Sequence, residues 1–131
     1  RRQFTHHLIE EGIRLAALEP ELLASDLPAS RLDALLAPFS EAALLIGRIA
    51  VDDWVLCKRI HHYQFTLRPQ HIHLTGDRLR ALGLRPGPEY RDILQAVRAS
   101  VLDGLITTAP EEEELARRLI AEQKEVNATH F

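Results

Sequence analysis

Seven prolines divide the chain into short segments, and no segment between them shows the alternating pattern of a β-strand. Proline lacks a backbone N–H and has a restricted φ, so it is excluded from helix interiors and from central strands. The segments are rich in leucine and alanine, whereas aromatic residues make up only 5% of the chain. This composition favours helix over strand. The sequence therefore predicts an all-α fold, a multi-helix array of about six to eight short helices.

In the first half of the chain, apolar residues recur at helical spacing after residues that can cap a helix. Ser30, Ser40 and either Asp52 or Asp53 have side-chain oxygens suited to accept hydrogen bonds from the first backbone N–H groups of a helix. The predicted helices are residues 3–18, a short turn beginning at residue 22, residues 31–37, residues 41–50, and one from Asp52 or Asp53 to about Leu67. The apolar face of the first helix is predicted to contain Phe4, Leu8, Ile13 or Gly12, Leu15 and Leu18.

The second half has clearer helix boundaries. Thr75 is predicted to cap a short helix over 76–82, and Gly83 to follow it at positive φ, where glycine is favoured. A helix over 88–102 should begin at Pro88, which suits a first helical position. Its predicted apolar face comprises Tyr90, Ile93, Leu94, Val97 and Val101, and Asp103-Gly104 ends it. Thr107 or Thr108 should cap a last helix over 110–125. Two small lobes, 1–70 and 71–131, are expected to divide near residue 70.

Histidine and cysteine are the candidate catalytic or metal-binding residues. The pairs His61-His62 and His71-x-His73 could in principle bind zinc, but adjacent helical residues point about 100° apart. Cys57 lies one helical turn before His61, which is a possible nucleophile–base spacing, although a small buried hydrophobe is the more ordinary role. No nucleotide-binding or hydrolase motif is present. We therefore expect no catalytic residue and no metal site in this chain, with a small metal-dependent hydrolase as a rival interpretation.

Charge is unevenly distributed. Residues 48–98 carry nine basic and five acidic side chains, whereas residues 1–47 carry four and seven, and residues 99–131 three and seven. The middle is therefore net +4 between acidic flanks, a pattern that can indicate an anionic partner or simply a solvated surface. The start of the predicted helix at Pro88 offers backbone N–H groups to an anion. Arginines around it could hold a phosphate backbone without reading bases, or only solubilise a capped hairpin. The candidate RNA-binding residues are Arg78, Arg80, Arg85, Arg91, Arg98, Lys58 and Arg59.

One stretch resembles a known family. Residues 75–88 read Thr-Gly-Asp-x-Leu-x-x-Leu-Gly-Leu-x-Pro-Gly-Pro, followed by Ile93-Leu94, and residues 102–108 read Leu-Asp-Gly-x-Ile-x-Thr before a glutamate-rich helix. This pattern resembles the C-terminal body and tail region of bacterial tRNA nucleotidyltransferases, the CCA-adding and A-adding enzymes, and of the related poly(A) polymerases. Family members often carry an acidic residue where Arg78 stands. The motif residues are Thr75, Gly76, Asp77, Gly83, Pro86, Gly87 and Gly104.

The resemblance implies a non-catalytic RNA-binding fragment that holds the acceptor arm and elbow of tRNA. CCA or A addition would then belong to a missing N-terminal head, which would use Mg²⁺ with ATP or CTP. The start at Arg1 without Met agrees with a fragment. The lobe 1–70 would be body-like and the hairpin and last helix of 71–131 tail-like. The single cysteine and the lack of a long apolar stretch lead us to expect a cytoplasmic protein without a membrane partner. The alternative is a helical protein-interaction or homo-oligomerisation module without RNA binding.

Overall fold

The computed structural model describes the backbone of residues 2–129 and the side chains of residues 3–126. Within that range there are eight α-helices and no β-strand, which confirms the all-α prediction. Internal contacts divide the chain into two compact units, residues 1–70 and residues 71–131. None of the described helices is both long and apolar enough to cross a membrane.

Short helices joined by proline-containing or capped turns form the first unit. Ser40 was predicted to be an N-cap, as was either Asp52 or Asp53, and the structure shows caps at Ser40 and Asp53. Ser40 Oγ accepts from the N–H of Ala43 at 3.1 Å, and Asp53 accepts from the N–H groups of Val55 and Leu56. The helices are α1 (Arg2–Ala17), α2 (Glu19–Leu22), α3 (Ala29–Leu36), α4 (Glu41–Ala50) and α5 (Trp54–His62), followed by a π-helical turn (Tyr63–Leu67).

The prediction that Ser30 caps the third helix was wrong. α3 begins at Ala29, because the carbonyl of Pro28 accepts from the N–H groups of Arg31 and Leu32 at 3.0 and 3.1 Å. Pro28 itself has extended backbone, as expected of a residue just before a helix. Ser30 therefore lies within the first turn.

The predicted apolar face of α1 was also partly wrong. Leu15 is buried, but Phe4 and Ile13 are 63% and 66% exposed. The helix instead buries Glu11, whose carboxylate accepts hydrogen bonds from the N–H and the hydroxyl of Ser40, both at 2.8 Å. These two hydrogen bonds lower the pKa of Glu11, outweighing its burial. Glu11 and Leu15, one helical turn apart, thus lie on the side of α1 that faces the core.

The π-helical turn was not anticipated, and the residue after it organises the C-terminal end of α3. Arg68 donates to the hydroxyl of Tyr63 and to Glu41, and also to the carbonyls of Leu36 and Phe39. Burial acts to lower the pKa of Arg68, but the hydrogen bonds to Glu41 and Tyr63 hold it above its usual value. This guanidinium therefore satisfies carbonyls that the end of a helix leaves free.

The second unit has the helix boundaries predicted from its caps. Thr75 Oγ1 accepts from the N–H of Arg78, and both Gly83 (φ 99°) and Gly104 (φ 75°) have left-handed backbone, which confirms the predicted helix ends. Thr108 and Glu111 form a reciprocal capping box, with Glu111 accepting from the N–H of Thr108 at 3.2 Å. The helices are α6 (Gly76–Ala81), α7 (Pro88–Leu102) and α8 (Ala109–Thr129), the last longer than predicted.

Apolar residues from all three helices form the core of the second unit. The predicted face of α7 is confirmed, because Ile93 and Val97 are buried and Tyr90, Leu94 and Val101 pack partly buried against them. The buried members of this core are Leu74, Leu79, Ile93, Val97, Ala116 and Ile120.

Candidate nucleic-acid interface

A buried carboxylate holds the segment that leads into α6. Glu112, on the first turn of α8, is 2% exposed. It accepts from the backbone N–H of His73 at 2.8 Å and from that of Leu74 at 3.0 Å, and its second oxygen lies 2.9 Å from Nδ1 of His73. A carboxylate in the first turn of a helix is also favoured by the helix dipole. In the structure, Glu112 ties the start of the α6–α7 hairpin to α8.

Arg78, the first of the candidate RNA-binding arginines, has a protein partner. Its guanidinium makes two hydrogen bonds to the carboxylate of Glu113 on α8, one of them at 3.2 Å. This contact lowers the pKa of Glu113 and raises that of Arg78. Both side chains remain partly exposed. The charge of Arg78 is thus balanced locally, which distinguishes it from its neighbours in the hairpin.

Three other arginines of the hairpin are exposed. Within the described part of the chain, the guanidinium groups of Arg80, Arg85 and Arg91 make no hydrogen bond or ion pair. Such cations are available to an anionic partner without first breaking a contact within the protein. Among the described side chains, none of the three pairs with Asp77, Glu89 or Asp92, the acidic residues of the same hairpin.

A groove on α7 brings two of the candidate arginines together. It has a volume of about 490 Å³, and no carboxylate is found among the described residues that line it. Arg91 and Arg98 lie two helical turns apart along it, with Gln95 between them and Gly87 at the end nearest the start of α7. Arg80 and Arg85 lie outside this groove. That the hairpin arginines share one side of the fold stays a prediction.

The start of α7 is a poorer anion site than its position suggests. Pro88 removes one donor, and the carboxylate of Glu89 folds back so closely that a Cβ built on Gly87 would lie 2.8 Å from Glu89 Oε2. A negative charge already occupies the region to which the helix dipole would attract a phosphate. Any phosphate contact in this region therefore depends on the arginine side chains.

Lys58 and Arg59, the two candidates in the first unit, have different surroundings. Arg59 donates to the carbonyls of Leu22 and Ala24, so its guanidinium closes the end of α2. Lys58 is exposed and lines a second groove, between α4 and α5, that also contains Arg48 and Trp54. Lys58 and Arg59 thus have different surroundings, because adjacent residues of a helix point in different directions.

Exposed aromatic residues near Lys58 were not anticipated from the sequence. Trp54 is 75% exposed and Phe65 is 61% exposed, although such large rings are usually buried. His61 lies against Phe65 with ring centroids 4.6 Å apart, and the guanidinium carbon of Arg48 is 5.3 Å from the Phe65 centroid. Residues 54, 58, 61 and 65 follow helical spacing, a signal that could have placed them on one face.

The histidines are dispersed. His6 pairs with Glu10 at 3.0 Å, His73 with Glu112, and His61 with the Phe65 ring. Cys57 is half-buried rather than fully buried, and no hydrogen bond to His61 is found among the described side chains. Over residues 3–126, no three His, Cys, Asp or Glu side chains are grouped in a way that could hold a metal ion.

Comparison with known proteins gives a partial match. A segment of 57 residues is 42% identical to the A-adding tRNA nucleotidyltransferase of Geobacter sulfurreducens. The segment makes up 44% of this chain and 6% of the relative, so the match spans a small part of the relative's length. No protein-family model and no solved structure matches the chain. The similarity suggests the tRNA nucleotidyltransferase family, in agreement with the motif in residues 75–108.

Proposed function

We propose that this chain is a non-catalytic RNA-binding part of a tRNA nucleotidyltransferase or poly(A) polymerase family protein. It would hold tRNA while a catalytic domain outside this sequence adds CCA or A. The observation that carries the proposal is a set of exposed arginines in the α6–α7 hairpin, Arg80, Arg85 and Arg91, whose guanidinium groups have no partner among the described residues. The partial similarity to an A-adding tRNA nucleotidyltransferase supports tRNA as the RNA concerned.

The chemistry expected of this surface is charge pairing with phosphate. Guanidinium groups donate two parallel hydrogen bonds to phosphate oxygens and carry no information about base identity. The acceptor arm and elbow of tRNA, which the family resemblance implies, would present such a backbone. Mg²⁺ and the nucleotide would belong to the catalytic domain, as the family resemblance implies. We expect the chain alone to incorporate neither CMP nor AMP into tRNA.

Titration of tRNA at several salt concentrations tests the proposal. The variant Arg80/Arg85/Arg91→Ala should bind more weakly than the wild type, and its log–log salt slope should be shallower by about 0.9 for each phosphate that the arginines no longer neutralise. A matched control, Arg14/Arg31/Arg117→Ala, removes the same charge from side chains that already have protein partners. It should bind nearly as the wild type does. Equal affinities for wild type and the hairpin variant would contradict the proposal.

A second candidate function, a protein-interaction module, is favoured by the apolar surface of the first unit. Ile9 and Ile13 are 58% and 66% exposed one helical turn apart on α1, and large apolar side chains exposed together often mark an interaction surface. Light scattering over a range of protein concentrations separates the two functions. A mass that rises with concentration, together with no response to tRNA, would favour the interaction module.

A further inference from the structure

The groove between α4 and α5 combines exposed rings with positive charge. Its volume is about 500 Å³, and the described residues that line it include Arg48, Trp54, Lys58 and His61 but no carboxylate. Phe65 extends the same face beyond His61. Trp54 and Lys58 are one helical turn apart, so a ring and a cation lie side by side on the surface.

Neither charge nor apolarity alone accounts for this combination. A purely solubilising face would not expose a tryptophan to 75%, and a purely apolar docking face would not place two cations among its rings. The carboxylate nearest in sequence, Asp53, is engaged by the N–H groups of Val55 and Leu56. The residues that line the groove therefore carry a net positive charge beside an exposed ring. This combination is complementary to an anionic partner with flat, apolar faces.

We propose that this groove binds an unpaired stretch of RNA, with a nucleobase stacked on Trp54 and adjacent phosphates held by Lys58 and Arg48. Aromatic stacking combined with a basic groove is the general means of binding single-stranded nucleic acid without sequence preference. Because a duplex keeps its bases stacked inside, an exposed ring selects unpaired nucleotides. The inference rests on the proposed RNA-binding role and adds a second, single-strand site in the first unit.

Trp54 is the single tryptophan of the chain, so its fluorescence reports directly on this groove. Titration with a short oligoadenylate should quench the emission, whereas an abasic ribose-phosphate oligomer of equal length should leave it nearly unchanged. With a fluorescently labelled oligoadenylate, Trp54→Leu should weaken binding about tenfold and Trp54→Phe clearly less, because phenylalanine retains a ring for stacking. Leu105→Ala, which removes a comparably exposed side chain in the second unit, should change nothing. Lys58→Ala should reduce the salt dependence.

The stacking proposal is overturned if the oligoadenylate does not quench Trp54, if the abasic oligomer quenches it equally, or if Trp54→Leu binds like Trp54→Phe. If RNA does not quench Trp54, and the protein self-associates in a way that Trp54→Leu abolishes, the groove is instead an interface between copies of this chain. If oligoadenylate quenches Trp54 but substitution of Arg80, Arg85 and Arg91 leaves the affinity for tRNA unchanged, only the proposal that the hairpin binds tRNA is refuted. The two proposals therefore fail separately.

Discussion

The buried carboxylate of Glu112 gives the sharpest test of how the second unit is held together. Replacing Glu112 with alanine removes the acceptor of two backbone N–H groups, those of His73 and Leu74, and the partner of the His73 ring. The Leu74 bond is fully buried, whereas the His73 side chain is 68% exposed. Most of the expected loss therefore comes from the backbone donors.

An unsatisfied buried donor costs about 1–3 kcal/mol, and the exposed histidine contact contributes little because water screens it. Glu112→Ala should accordingly lower the free energy of unfolding by about 3 kcal/mol. Glu112→Gln keeps one carbonyl oxygen that can accept from both N–H groups, but it loses the charge and the oxygen beside the His73 ring, so its cost should be about 1 kcal/mol. The glutamine variant thus separates the backbone hydrogen bonds from the charge and the histidine contact.

Urea denaturation followed by circular dichroism measures these differences, and hydrogen exchange at the Leu74 amide reports on the local bond. Glu114→Ala is the matched control: its side chain is 68% exposed on the same helix, and its removal should cost under about 0.5 kcal/mol. If Glu112→Ala and Glu114→Ala were equally stable, and the Leu74 amide stayed equally protected, the structural role assigned to Glu112 would be refuted.

Three further outcomes are expected. Gly83→Val should destabilise the chain by about 1 kcal/mol or more, because the backbone φ of Gly83 is 99°. The control Gly12→Ala, at an open helical position, should be neutral or stabilising. Equal melting temperatures of the two variants in thermal denaturation would contradict this expectation. Glu11→Gln should reduce the loss of stability on acidification. The lowered pKa of the Glu11 carboxyl stabilises the fold at pH values above its usual pKa of 4.5, and this contribution is lost as the pH falls through the lower pKa of the folded state. Identical pH profiles of the urea unfolding midpoint for wild type and variant would argue against this role. Asp53→Ala should cost about 1 kcal/mol through loss of the α5 cap, and Asp52→Ala much less; similar midpoints for both variants would mean that the cap contributes little.

The sequence by itself determined the helices and many of their ends. Ser40 and Thr75 could be identified as caps, and the α5 cap could be narrowed to Asp52 or Asp53, because a cap joins a side chain to a backbone N–H only two or three residues ahead. The bounds of α7 were predictable for the same reason, since Pro88 begins it and Gly104 lies just beyond its end. These features need only neighbours along the chain.

The tertiary structure alone decided how the charged residues are used. Arg59 reaches the carbonyl of a residue 37 positions earlier, and Glu112 accepts from a residue 39 positions earlier. Helical periodicity does not encode such contacts, so it could not separate Arg78, which pairs with Glu113, from Arg80 two residues later, which has no partner among the described side chains. Likewise, only the packing of α4 against α5 showed that Trp54 remains exposed. A local pattern gives the direction of a side chain from its own helix, whereas its partner depends on which distant segment packs there.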